Sequence, residues 1–153
     1  MKVVTGKMSA EGRRVAIVVS RWNELVTKAL LEGAIDELAR YGGAPSHVIH
    51  VPGTWEIPVV VSALLASKEP PDAIVALGCI LQGQTTHAQL LSADVGGALM
   101  TLQTESKKPI SWGILTPDTL EQALDRSGAK HGNKGREAMG AVVEMMSVLD
   151  QLG

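Results

Sequence analysis

The chain has 153 residues, 45% of them hydrophobic, and a formal net charge of -2. It is long enough for one domain with a real core, too apolar for a disordered chain, and too close to neutral to favour nucleic acid or an anionic membrane as partner. No apolar run approaches the ~20 residues of a membrane span, and the single cysteine, Cys79, excludes an internal disulfide and fits a reducing compartment.

Residues 1–12 read as a polar arm with a short β-prone piece at 2–5 that has no evident partner in its own domain. Residues 14–20 (RVAIVVS) are almost wholly apolar, as the central strand of a parallel sheet should be. Asn23 is placed to cap the helix that follows, whose apolar face runs through Leu25, Ala29, Leu30, Ala34 and Leu38. Gly42 and Gly43 end that helix, and Pro45 blocks its continuation. A second strand covers 47–51, then a loop (PGTWE), then a second helix over 57–67 with Pro58 in its first turn. The third strand covers 72–77 and the third helix runs from Ala88 to about Lys107. A fourth strand covers 110–115. A short helix ends at Arg126, a glycine-containing break follows, and a last helix opens at 133–135 with Met139, Val142, Val143, Met146 and Leu149 on one face.

Strands alternating with helices imply one α/β domain over 1–153, with a parallel sheet covered by helices on both faces. Ligands of such sheets bind outside the carboxyl ends of the strands. There is no GxGxxG and no Walker loop, so a nucleotide cofactor is not indicated, and no metal-ligand spacing occurs. No secretory segment follows Met1, so a soluble, cytoplasmic protein is expected.

The chemistry concentrates in residues 78–87, GCILQGQTTH. A strand, a glycine turn and a helix N-terminus direct free N–H groups and the positive end of a helix dipole at one spot. Thr85 and Thr86 add hydroxyls, and His87 adds a proton carrier near neutral pH. The same pattern also arises simply because Ser and Thr cap helices. The chain has no Phe, one Tyr and three Trp. Trp22, Trp55 and Trp112 each stand at or near the end of an expected strand. Core packing is the simpler explanation for any one of them, and three in equivalent places is harder to explain that way.

Taken together, residues 20–23 (SRWN), 51–58 (VPGTWEIP), 78–87, 113–116 (GILT) and 126–135 (RSGAKHGNKG) resemble the lumazine synthase family of riboflavin biosynthesis. The resemblance implies a four-stranded parallel sheet in a three-layer α/β/α sandwich of flavodoxin-like order. It implies condensation of 5-amino-6-ribitylaminouracil with 3,4-dihydroxy-2-butanone 4-phosphate to 6,7-dimethyl-8-ribityllumazine, without metal or organic cofactor. It further implies a homopentamer with active sites shared between neighbours, and riboflavin synthase as a candidate partner. Two further features point to a 60-subunit icosahedral shell: the uninterrupted stretch 128–135, and the β-prone piece at 2–5, which is expected to add to the sheet edge of the next subunit.

By the same resemblance, Trp22 stacks on the pyrimidine ring, where the family usually has Phe, and Asn23 bonds ring polar atoms. Thr54, Trp55 and Glu56 hold the ribityl chain, and Ile80 and Leu81 present backbone groups to the ring. Gly83, Gln84 and Thr85 cradle phosphate, and His87 transfers protons. Trp112, Arg126 and Lys134 arrive from the adjacent subunit, with Arg126 on the phosphate. Two departures stand out. Ala88 and Gln89 follow His87 where the family usually has an aromatic and then an acid, and Gln82 stands where Arg is frequent. Ala88 and Gln89 are the one support for a different reading, a shell-forming or flavin-binding homologue with weak or no turnover. A flavodoxin-like flavin module is disfavoured, because Arg21-Trp22 replaces a Ser/Thr phosphate loop after the first strand.

Overall fold

The computed structural model describes residues 1–83, 86–130 and 132–153. Nine main elements follow in the order β1 (Val15–Ser20), α1 (Glu24–Arg40), β2 (Pro45–Val51), α2 (Ile57–Leu65), β3 (Ala73–Cys79), α3 (His87–Ser106), β4 (Ile110–Leu115), α4 (Leu120–Arg126) and α5 (Lys134–Leu152). A single 3-10 turn, Thr54–Glu56, leads into α2. The sheet order is β2-β1-β3-β4, with every pair parallel. This is the three-layer sandwich of flavodoxin-like order.

The sheet's period of two explains the layers. Val15, Ile17, Val19, Val75 and Leu77 share one core with Val26, Leu30, Ala34 and Leu38 of α1 and Met139, Val142, Val143 and Met146 of α5. Ala16, Val18, Ile74 and Ala76 face the other way, onto Ile57 and Val61 of α2 and Val95 and Leu99 of α3. Every residue of β1 and β3 is buried, so these strands needed apolar side chains on both faces. β2 and β4 are the edges and carry exposed or half-exposed positions.

Several local expectations are corrected. Asn23 does not cap α1 through its side chain. Its backbone is left-handed, with φ 62°, and its amide reaches elsewhere. Leu25 is 70% exposed, and Val26 takes the buried position at the start of α1. The glycine turn after β3 begins later than expected, because Gly78 and Cys79 continue the strand in register with Ile114 and Leu115. His87 is the first residue of α3 and not a loop residue. Trp112 lies within β4, opposite Ala76, and not at a strand end.

The arm differs most. Residues 2–5 form no strand. The segment after them docks on α5 of its own chain. The Lys7 N–H donates to Ser147 Oγ at 2.8 Å, Gln151 Nε2 donates to the Thr5 carbonyl at 2.8 Å, and Arg13 pairs with Asp150. Ala10, 1% exposed, is pinned by its N–H to the Tyr41 carbonyl. The sequence shows too little apolar surface for this arm, and polar bonds to α5 supply what it lacks.

A polar clamp joins α1 to α5. Arg136 Nη1 lies 2.7 Å from Asp36 Oδ2 and 2.8 Å from Glu37 Oε2, and the Tyr41 hydroxyl donates to Glu37 Oε1 at 2.8 Å. The hydrogen bond from Arg136 holds Asp36 below its ordinary value of 3.8. Burial opposes ionisation of Glu37, but the bonds from Tyr41 and Arg136 outweigh it and hold Glu37 below 4.5. Folded pKa values below the unfolded ones mean that the unfolded chain binds more protons in acid. The clamp's contribution is present above the carboxylates' ordinary range and is lost as pH falls below it. The melting temperature should therefore drop between pH 6 and pH 3, and Arg136→Met should flatten that drop. An equally steep drop in Arg136→Met, measured by circular dichroism, would remove the clamp from the account.

Candidate active site

The first crossover runs from β1 out to β2 through α1 on one face, and the second returns from β2 past β1 to β3 through α2 on the other. The switch point falls between the carboxyl ends of β1 and β3, the place where sheets of this order form their ligand crevice. The side chain of Asn23 spans it, Nδ2 donating to the Cys79 carbonyl at 3.1 Å. The left-handed backbone of Asn23 turns the chain sharply into α1, which brings this amide across to β3.

Around the crevice stand the residues of the first three loops. Trp22 is 68% exposed and lies over Gly53, where a Cβ would come 3.0 Å from its ring. Its loop is fixed by backbone bonds from Arg21 to the Val51 carbonyl and from Trp22 to the Pro52 carbonyl. Thr54 is buried against Gly78, whose missing side chain makes room for the Thr54 methyl and the Ser20 hydroxyl. Trp55 is 63% exposed. Glu56 accepts from the Gly53 N–H at 2.9 Å through Oε2, which closes the 3-10 turn. Ile80 is buried, and its N–H donates to the Leu115 carbonyl at 2.8 Å, so that donor is committed within the fold. Leu81 is half-buried against the α1/α5 core. Gly83 is exposed, and His87 stands exposed at the first position of α3. Gln84 and Thr85, the remaining cradle candidates, lie outside the described residues.

Trp112, Arg126 and Lys134 form a separate group. They line a cavity of about 410 Å³ together with Ile114, Leu115, Thr116 and Glu137. Arg126 is the exposed last residue of α4 and Lys134 the first residue of α5. The Trp112 ring also packs against Gly96 of α3, which gives it a partly buried back and one open face. Two cations, a threonine and an indole suit a small anion carrying some apolar carbon. None of Trp22, Thr54, Trp55, Glu56 or His87 lines this cavity. One chain thus carries two groups of candidate residues facing different spaces. Glu137 escaped the sequence reading. It lies 3.9 Å from Lys134 Nζ, and its position three residues on along a helix is the signal that could have marked it.

Among the described residues no group of three His, Cys, Asp or Glu could hold a metal ion, and no helix is long and apolar enough to cross a membrane.

Comparison with known proteins gives the family. The family model described as 6,7-dimethyl-8-ribityllumazine synthase matches residues 12–150. The 6,7-dimethyl-8-ribityllumazine synthase of Aquifex aeolicus (strain VF5) is 44% identical over 154 residues, covering 99% of each chain. That of Protochlamydia amoebophila is also 44% identical, covering 99% of this chain and 89% of its own. That of Thermus thermophilus is 42% identical over 153 residues, covering 99% and 97%.

Cys79 is the one thiol near the crevice, and it is built to stay inert. It is 4% exposed, and burial pushes its pKa up to about 11, so little thiolate forms at neutral pH. A disulfide reagent such as DTNB should not modify the native chain at pH 8 and should modify it fully in denaturant. Rapid native labelling would show that the strand end opens.

Proposed function

The chain belongs to the 6,7-dimethyl-8-ribityllumazine synthase family, and we propose that it works as that enzyme through the two residue groups described above. It condenses 5-amino-6-ribitylaminouracil with 3,4-dihydroxy-2-butanone 4-phosphate, releasing phosphate and water in riboflavin biosynthesis. The observation that carries the reading is the family match over 12–150 together with the site residue types standing at the carboxyl ends of the strands.

In this reading Trp22 offers its exposed face to the pyrimidine ring, and Asn23, tied to Cys79, faces the ring's polar edge. The 3-10 turn with Thr54, Trp55 and Glu56 receives the ribityl chain, beside Ile80 and Leu81. The second substrate places its phosphate between Arg126 and Lys134, under Trp112, and Gly83, Gln84 and Thr85 match the family's phosphate-cradling turn. The amine of the first substrate attacks the ketone to give a carbinolamine, which loses water to an imine. Phosphate then leaves and the ring closes. His87 accepts and returns protons in these steps. The guanidinium of Arg126 meets the charge gathering on the departing phosphate.

Both groups can act on one pair of substrates if a neighbouring subunit's Arg126 side meets this chain's Trp22 side. A head-to-tail contact of that kind closes into a ring, here a homopentamer. The uninterrupted stretch 128–135 has the length found in shell-forming members of the family and supports a 60-subunit icosahedral assembly. Strand addition by the arm is not among the supports, since the arm docks on its own α5. Riboflavin synthase, which consumes the product, is the partner such a shell would suit. A reducing cytoplasm suits the lone thiol.

Incubation with both substrates should yield the lumazine absorbance without added metal or cofactor. Arg126→Ala should lower kcat/KM by about 10²–10³-fold, the scale of losing one charge-stabilising donor. Binding without product would favour a non-catalytic homologue. In light scattering coupled to size exclusion, about one megadalton is expected for sixty copies of a 16.1 kDa chain. A particle of about five chains would leave the ring without the shell, and a monomer would end the shared-site reading.

A further inference from the structure

Arg126 closes α4 and Lys134 opens α5, and nothing in either helix by itself fixes the distance between the two cations. One side chain standing between them touches three elements at once. Asn133 caps α5, its Oδ1 accepting from the Arg136 N–H at 3.0 Å. Its Nδ2 donates to the Ser127 carbonyl at 3.0 Å and to the Ala29 carbonyl of α1 at 2.9 Å. Ser127 and Asn133 also form an isolated antiparallel bridge, which draws their neighbours Arg126 and Lys134 together. The surroundings are shaped for this amide. A Cβ on Gly33 would overlap the Asn133 side chain, and one on Gly135 would overlap the Leu30 carbonyl, so α5 begins in backbone contact with α1.

Capping a helix needs one acceptor, which serine, threonine or aspartate supplies equally well. Asn133 uses both of its amide N–H groups as well, on carbonyls of two different elements. We propose that Asn133 is a positioning residue for phosphate binding, an assignment resting on the reading of Arg126 and Lys134 as the phosphate pair. It ties the ends of α4 and α5 to α1, and α1 is held by the buried sheet core. The cation pair thereby takes its spacing from the rigid centre of the domain and not from the glycine-containing connection between the helices. Gly128, with φ 123°, and Gly132, with φ 81°, lie in that connection, where a free loop would have many conformations to choose from.

The test is Asn133→Ser in the full-length assembled protein. Serine keeps a cap acceptor, adds no charge and is too short to reach both carbonyls. The melting temperature should fall moderately, since two carbonyls lose their donor while the cap remains. KM for the phosphate-bearing ketone should rise about tenfold or more, and inhibition by inorganic phosphate should weaken in parallel, as expected for displaced cations. KM for the aminopyrimidine should stay within about twofold, because its residues lie in the other group. In an Arg126→Ala background the serine change should add clearly less than its full factor to the phosphate KM, the part carried by Lys134, which is the mark of acting through the cation pair. Unchanged phosphate KM and inhibition in Asn133→Ser, or losses that simply multiply in the double variant, would reduce Asn133 to a structural cap and overturn the assignment. If Arg126→Ala alone leaves both phosphate readouts unchanged, the phosphate reading itself falls and Asn133 with it. If Arg126→Ala weakens them and Asn133→Ser does not, only the Asn133 assignment falls. Should Asn133→Ser not assemble, Asn133→Thr carries the same expectations.

Discussion

The first turn of α5 lies directly on the backbone of α1, and much of the structure depends on this contact. Gly135 lets the first turn of α5 lie directly on the Leu30 carbonyl, and Gly33 leaves the space that Asn133 fills. With the helices so close, one face of the sheet is sealed by two helices packed against each other and not merely side by side. Val142, Val143 and Met146 then reach the same core as Leu30, Ala34 and Leu38. The price of this closeness is side-chain volume at two glycines, and the Arg136 clamp to Asp36 and Glu37 fastens the same seam from its solvent side. Because α5 starts where α1 permits, Lys134 is fixed by the core although its own ammonium lies outside it.

The opposite side of the site rests on the sheet. Full burial of β1 and β3 makes their carboxyl ends the most rigid points on that surface. The loop leaving β1 can be short and still carry an exposed tryptophan, Trp22. An indole that is about two-thirds exposed has little reason to stay ordered by itself, yet Trp22 is held between its own backbone bonds and the bare face of Gly53. Asn23 contributes by bridging β1's loop to β3's last carbonyl. Gly78 acts in the same way one layer down, where any side chain would push Thr54 and Ser20 apart. The aromatic side of the site is thus made of small residues below and large ones above.

Strand and helix order, the parallel sheet and both cores could be read from the chain, because apolar runs of six or seven residues and helical spacing report burial directly. Trp22, Trp55 and His87 stood out because they fall near strand ends, and the other site residues were named through the family resemblance. What could not be read was set by tertiary contact. Whether Leu25 or Val26 faces the core depends on the entry angle of α1, which the left-handed backbone of Asn23 determines. The arm looked partnerless because hydrogen bonds to Ser147 and Gln151 leave no apolar trace in the sequence. In the sequence Trp112 groups with the strand-end tryptophans although its strand runs on through Leu115, and its cross-strand neighbour Ala76 leaves no sign there. The division of the site residues into two groups was visible only through the family resemblance. Nothing in their spacing says that Arg126 and Trp22 face different spaces.

The division also says where the demands on this catalyst lie. A set of one imidazole, two cations and three indoles is chemically modest, and the nearby thiol is pushed out of reach of nucleophilic work. Amine–ketone condensation needs little more than proton traffic once the partners are held together. Removing translational freedom can supply roughly 7–11 kcal/mol of a bimolecular barrier. Such an enzyme gains more from fixing where each substrate sits than from tuning the strength of an acid or base. That requirement accounts for the way this chain spends its unusual positions. Gly53 and Gly78 set the aromatic floor, Gly33 and Gly135 set the cation side, and the side chains of Asn23 and Asn133 each tie a loop to the rigid centre.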